Sequence, residues 1–269
     1  MNFGRISAEL FAKMQEKRPL IHHITNFVVM NDTANFTLAM GASPVMAHSC
    51  NEMDEMTGLA SALVINIGTL GTEWVDSMNI AIECANRKGV PVILDPVGAG
   101  ATAYRSDVAK SMLKRHKISV LKGNLGEISS LAGLGGVVSG VDSLGGGEPE
   151  AVVSSAWERF STITAVTGKH DYVFNGRDMY VIKNDSGYLP RITGSGCMAG
   201  SIVAAFISME KDWALAAACA LAIYSMAGEL TEKDGVKGPA DFRMKFIDMV
   251  YGLDPSIIEK NVRIEKKTV

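Results

Sequence analysis

One recurrence constrains the fold more than any other feature: short, continuous apolar runs separated by longer amphipathic stretches. The runs at 44–47, 62–68, 90–94, 118–122 and 163–167 carry almost no polar side chains. Each is therefore expected to be a strand buried on both faces. Between them, 31–40, 53–60, 73–88, 106–117, 125–134 and 148–160 show apolar residues at helical spacing. Strand and helix alternating at this length predict the α/β class, a mostly parallel central sheet with helices on both faces. After residue 170 the pattern changes. Two short strands, 172–174 and 179–183, flank Asn175-Gly176, a dipeptide suited to a hairpin turn. From Gly196 onward the spacing is mainly helical. Seven glycines between Gly133 and Gly147 predict a plain surface loop. No shift in composition marks a boundary, so residues 1–269 are expected to form one domain.

Composition removes several classes. Lys plus Arg (26) nearly balances Asp plus Glu (29), for a net charge of −3, whereas a nucleic-acid binder normally shows a basic excess. Cys50, Cys84, Cys197 and Cys219 form no C-x-x-C pair, which argues against a zinc or disulfide framework. Residues 1–19 are a polar helical pattern without the apolar core of a secretory signal. The Ala-rich uncharged run 213–228 falls short of the ~20 apolar residues of a membrane span. A cytoplasmic protein with neither nucleic acid nor membrane as partner is expected.

Two segments match G-x-G-x-x-G/A, Gly98 to Ala103 and Gly194 to Ala199. Neither is followed about 20 residues on by a strand ending in an acid, so a dinucleotide fold is not supported. The second still has mechanical content. Thr193-Gly-Ser-Gly-Cys197 stands directly before an Ala-rich helical stretch, 198–209. Small residues there leave backbone N–H groups bare at the positive end of a helix, an anion or phosphate site. A tight turn into a buried helix would use the same residues. Cys197, in the first turn, is expected to have a lowered pKa if exposed and to be an inert packing residue if buried.

Asp95 follows the run 90–94, and Lys122-Gly-Asn124 with Glu127 follows the next run. Open α/β sheets bind ligands at these carboxyl ends. Asp95 and Glu127 together suit a hydrated Mg²⁺, which favours one or two carboxylates plus phosphates. Either alone would serve as a helix cap. Thr167-Gly168 adds a third polar strand end. Near the start, His22-His23 and Ile24-Thr-Asn26 form a polar cluster. Adjacent histidines diverge, so core hydrogen bonding is expected of them rather than metal binding.

Taken together, His22-His-Ile-Thr-Asn26, Gly41-Ala-Ser-Pro-Val-Met46, Asn66-Ile-Gly-Thr-Leu70, Asp95-Pro-Val-Gly-Ala-Gly-Ala-Thr102, Lys122-Gly-Asn124 with Glu127, Ala165-Val-Thr-Gly168 and Thr193-Gly-Ser-Gly-Cys197 resemble the hydroxyethylthiazole kinase family. The resemblance implies a ribokinase-like fold, and transfer of the γ-phosphoryl of ATP to the alcohol of 4-methyl-5-(2-hydroxyethyl)thiazole in thiamine biosynthesis. It implies substrate contacts at Met46, Gly194 and Asn26, ATP contacts at Lys122, Thr167 and Gly196, and Mg²⁺ at Asp95 and Glu127. Cys197 would be the catalytic residue, at a place where related kinases usually have Asp. The family commonly has Arg at the position of Lys122 and Thr at that of Ser195. Family members are homotrimers with the alcohol site between subunits. Three other readings compete: a related kinase acting on a hydroxymethylpyrimidine or a sugar, a Cys197-nucleophile hydrolase drawing on His22, His23 or His170, and a nucleotide-binding regulator without turnover.

Overall fold

A computed structural model describes residues 1–135, 137–139, 142–144 and 147–268, with no side-chain account for 137–139 and 142–144. The chain begins α1 (Phe3–Lys17), β1 (Leu20–Ile24), α2 (Met30–Ala39), β2 (Ser43–Val45), α3 (Met53–Leu59), β3 (Ala62–Asn66) and α4 (Thr72–Lys88). It continues through β4 (Val92–Asp95), α5 (Ala103–Arg115), β5 (Val120–Asn124), α6 (Leu125–Ala132), β6 (Val137–Ser139), β7 (Asp142–Leu144) and α7 (Pro149–Phe160). The last third holds β8 (Ile163–Thr167), β9 (Asp171–Phe174), β10 (Asp178–Ile182), α8 (Ser195–Ile207), α9 (Trp213–Lys233), α10 (Pro239–Tyr251), α11 (Pro255–Asn261) and β11 (Ile264–Thr268).

Nine strands form one sheet in the order β11-β10-β9-β8-β5-β4-β3-β1-β2. From β8 to β2 every neighbouring pair is parallel, while β9, β10 and β11 add antiparallel strands at one side. Successive side chains of a strand point to opposite faces, and here both faces are dry. Val64, Ile93, Val120, Ala165 and Val173 join one core with α1, α2, α8, α9 and α10. Leu63, Leu94, Leu121, Val166 and Phe174 join the other with α4, α5, α6 and α7. Continuous apolar runs, rather than alternating ones, follow from that double burial.

Four strands depart from the sequence expectation. β1 lies within the polar cluster around His22-His23. It is an interior strand on which His22 Nδ1 meets Thr57 Oγ1 at 3.1 Å and Nε2 meets the Ala47 carbonyl at 2.9 Å. The expected core hydrogen bonding thus holds for His22, whereas His23 Nε2 is buried without a hydrogen-bond partner among the described residues. β11, in a region read as helical, pairs with β10 through a strongly charged segment that suits an exposed edge. Within the glycine-rich stretch, β6 and β7 pair antiparallel. Three-residue strands bounded by glycine leave no periodicity to read.

The hairpin forms at Asn175-Gly176 as expected, with β10 starting one residue earlier, at Asp178. Asn175 Oδ1 accepts the N–H groups of Arg177 and Asp178, closing a three-residue loop in which Gly176 has φ +91°. Helix α9 is long and apolar enough to cross a membrane by length and composition, but 83% of that stretch is buried inside the protein. It is a core helix.

Candidate active site

The parallel strands deliver their polar ends to one edge of the sheet. Asn66 and Asp95 close β3 and β4 and stand opposite each other in register. Lys122 lies in β5, the next strand over, and Asn26 lies two residues beyond β1. Pro96 explains why β4 stops where it does, since it lacks the N–H a further ladder bond would need. All four side chains are buried, with Lys122 at 1% exposure and Asp95 at 2%.

The same edge receives the start of α8. Gly194 caps this helix at φ +86°, and a Cβ there would lie 2.7 Å from Val29 Cγ1, so both conformation and space demand glycine. The first bond back to the cap runs from Met198 N–H to the Gly194 carbonyl at 2.9 Å. The N–H groups of Ser195, Gly196 and Cys197 therefore precede any intrahelical partner and carry the positive end of the helix dipole. The helix begins at Ser195, three residues earlier than the sequence suggested. Lys122 is pinned beneath it, donating to Asp95 Oδ2 at 2.9 Å and to the Gly196 carbonyl at 2.7 Å. From the other side Tyr224, on α9, donates its hydroxyl to the Ser195 carbonyl at 2.6 Å.

Cys197 faces the strand ends. Asn66 Nδ2 donates to its Sγ at 3.2 Å and Asn26 Nδ2 at 3.5 Å. The two amides are themselves joined, Asn26 Nδ2 to Asn66 Oδ1 at 2.9 Å, and Asn66 Oδ1 also accepts the Gly68 N–H at 3.1 Å. Gly68 has to be small, because a Cβ would sit 2.7 Å from the Asn26 amide nitrogen. The lowered thiol pKa expected of an exposed Cys197 is reversed. Burial, reinforced by the Asp95 charge, pushes the thiol up to about 12 despite Lys122 and the two amides.

Charge in this edge is not balanced. Burial lifts Asp95 above the ordinary carboxylate range, with Lys122 and Asn66 pulling the other way. Lys122 stays charged in spite of its burial because Asp95, Cys197 and Glu127 all favour the ammonium. Glu127 is pushed to about 7 by burial and by Asp95. It fills the capping box that the sequence had left as an alternative, accepting the Asn124 N–H at 2.8 Å while Asn124 Oδ1 accepts the Glu127 N–H at 2.9 Å. Its second oxygen accepts the Gly98 N–H at 2.8 Å. Each carboxylate oxygen has two acceptor sites, so capping does not exhaust Glu127. Two buried carboxylates beside one ammonium form a donor set that fits a hydrated Mg²⁺. Among the described residues no group of three or more His, Cys, Asp and Glu gathers as a metal cluster, so such an ion would complete its shell with water and phosphate.

The remaining expected positions lie around this core. Thr167 ends β8, opposite Asn124 in register, and donates its hydroxyl to the Gly123 carbonyl at 3.3 Å. Met46 is half-buried just past β2, the edge strand beside β1. Asn66, Asp171, Tyr224 and Ser225 were not singled out as site residues from the sequence. Asn66 obeyed the strand-end rule that revealed Asp95. Asp171 starts a strand, and the two α9 residues carry no local signal at all.

Comparison with known proteins agrees with this geometry. The profile of the "Hydroxyethylthiazole kinase family" matches residues 11–256. A hydroxyethylthiazole kinase from Desulforudis audaxviator is 49% identical over 260 residues, covering 96% of this chain and 95% of the relative. Another from Desulfatibacillum aliphaticivorans is 46% identical and covers 99% of both. The solved structure of hydroxyethylthiazole kinase protein from Pyrococcus horikoshii OT3 superposes with a TM-score of 0.89 at 42% identity, over 97% of this chain and 99% of that one. Pyridoxal kinase from Staphylococcus aureus, at 14% identity and a TM-score of 0.63, shares the fold alone. With the family profile spanning most of the sequence, this chain belongs to the hydroxyethylthiazole kinase family.

Proposed function

We propose that this chain is a kinase that phosphorylates the hydroxyethyl group of 4-methyl-5-(2-hydroxyethyl)thiazole with ATP, within thiamine biosynthesis. The observation that carries the reading is Lys122, a buried ammonium tied to both Asp95 and the first turn of α8. It supports a site built to receive phosphate. Phosphoryl transfer asks a protein mainly to position two reactants and to stabilise charge on the equatorial oxygens. The N–H groups of Ser195, Gly196 and Cys197 would bind the transferred group as it develops charge, and Lys122 would add a point charge beside it. Thr167, at the end of β8, would meet the nucleotide. Asp95 and Glu127 would hold Mg²⁺, which when bound neutralises phosphate charge.

Asn26 and Asn66 fix Cys197 so that its sulfur faces the alcohol. A thiol that remains protonated does not attack a substrate covalently, which disfavours the hydrolase reading. We place the alcohol between Cys197, Gly194 and Met46, and infer a cytoplasmic homotrimer acting as one domain per chain. Phe27 and Val28, each 63% exposed directly after Asn26, support a partner subunit covering that side. Incubation with ATP, Mg²⁺ and the thiazole alcohol, followed by mass analysis, should give one phosphate ester per ATP consumed. A folded protein that yields none refutes the assignment. Sedimentation at micromolar concentration should give three chains per particle, and a monomer would refute the trimer.

A further inference from the structure

Asp171 is a buried acid for which the phosphoryl-transfer scheme has no task. It opens β9 at 4% exposure. Oδ1 accepts the Gly168 N–H at 3.0 Å, and Oδ2 accepts the Ser225 hydroxyl at 3.0 Å. Among the described residues no ammonium or guanidinium pairs with it. A carboxyl removed from water without an ion pair is costly, and the Gly168 and Ser225 bonds are what hold it there.

Its two bonds connect parts of the site that are far apart in sequence. Gly168 follows Thr167 at the end of β8, on the strand adjacent to the one carrying Lys122. Ser225 belongs to α9, next to Tyr224, whose hydroxyl holds the Ser195 carbonyl in the first turn of α8. Consecutive residues of one core helix therefore brace both the anion-binding turn and, through Asp171, the Thr167-Gly168 turn. We infer that Asp171 is a positioning residue for the nucleotide, fixing the Thr167-Gly168 turn against α9 so that the turn is preorganised for ATP. The inference rests on the kinase reading above.

The groups facing Asp171 also decide how it responds to pH. Burial pushes its carboxyl up to about 7, against the Gly168 N–H, the Ser225 hydroxyl and the more distant Lys122, while Asp185 pushes the same way as burial. Tyr224 is the other titratable neighbour, and its phenol is held neutral by burial. Near neutrality Asp171 thus passes from a neutral to a charged form. The new negative charge lies within electrostatic reach of the Lys122 ammonium that would serve the phosphates, so KM for ATP should rise as Asp171 ionises.

The test is steady-state kinetics of wild type, Asp171→Ala and Asp171→Asn at about pH 6 and about pH 8, on either side of the titration. Asn can accept from Gly168 and donate to Ser225, whereas Ala can do neither. Asp171→Ala should raise KM for ATP about tenfold with kcat and the alcohol KM within about threefold, the loss expected of one unmade bond at a binding turn. Asp171→Asn should restore the ATP KM at the lower pH and show a smaller rise toward the higher pH than wild type. Unchanged ATP KM in Asp171→Ala, or no rescue by a folded Asp171→Asn, overturns the inference. If Asp171→Ala does not fold, the Asp171→Asn profile decides: one that parallels wild type overturns it. Calorimetric titration of ATP into wild type and Asp171→Asn needs no alcohol, so it reads Asp171 even if the thiazole assignment fails.

Discussion

Lys122 Nζ lies 2.9 Å from Asp95 Oδ2 and shares its remaining reach with the Gly196 carbonyl, 2.7 Å away. This one buried cation couples the end of β4 to the start of α8, and both partners depend on it. Removing one member of a buried pair leaves the other charge uncompensated, at a cost of about 3–5 kcal/mol. Lys122→Met is therefore expected to lower the melting temperature by several degrees and to abolish turnover. Lys122→Arg keeps the charge and should stay closer to wild type in both. Thermal melts and initial rates of the two variants check this. A Met variant that melts like wild type would show the pair to be unimportant for folding.

Asn66 offers a second test. Its amide donates to Cys197 and receives both Asn26 and the Gly68 N–H. Asn66→Ala strands a buried donor on Asn26 and another on Gly68, and buried groups left unpaired cost roughly 1–3 kcal/mol each. We expect a drop in stability together with a fall in kcat of about tenfold or more, since the sulfur loses its nearer anchor. Chemical denaturation and single-turnover rates would separate the two effects. Full kcat in a destabilised variant would make Asn66 a packing residue only.

Much of this architecture was legible because double burial writes strands as uninterrupted apolar runs, as in Ala62–Asn66 and Val92–Asp95. Asp95, Lys122, Glu127 and Cys197 were legible because parallel strands and one helix bring their ends to a common edge. What escaped was set by distant partners. The interior position of β1 was masked by His22-His23, whose burial depends on Thr57 and Ala47. β11 is nearly all charged beyond Ile264 and exists through its pairing with β10. The direction of the Cys197 shift followed from burial, which a helix-terminus rule alone does not report. Tyr224 and Ser225 sit within an Ala-rich apolar helix, and only their contacts reveal a role.

Cys197 itself separates the mechanisms. With its thiol held near 12, almost none is thiolate at neutral pH, so covalent attack lacks a nucleophile. The amides of Asn26 and Asn66 point donors at the sulfur, and a carboxylate in the same place could accept both. Cys197→Asp is expected to remain active. Cys197→Ser should be slowed yet measurable, because the α8 N–H groups and Lys122 are untouched. Steady-state rates, with intact mass after substrate exposure, decide the matter. Two folded but dead variants and an adduct on the wild-type thiol would establish the hydrolase route.

The last prediction concerns stability against pH and uses Asp171. In the unfolded chain this carboxyl titrates near its ordinary 3.8, while in the folded protein burial raises it to about 7. Between those values the folded state holds a proton that the unfolded state has released. Stability contributed at this site is therefore greatest below the unfolded value and declines as pH rises to about 7. The full decline is on the order of 4 kcal/mol at 1.36 kcal/mol per unit, an upper bound because other buried groups relax with it. Asn carries no proton to lose, so Asp171→Asn should show a flatter dependence and should be more stable than wild type at pH 8 relative to pH 5. Denaturant unfolding of both proteins across that range, without added metal, reads the difference directly. Parallel curves would mean that Asp171 ionises in the folded protein as it does in water, and that its two hydrogen bonds are enough to hold the charge.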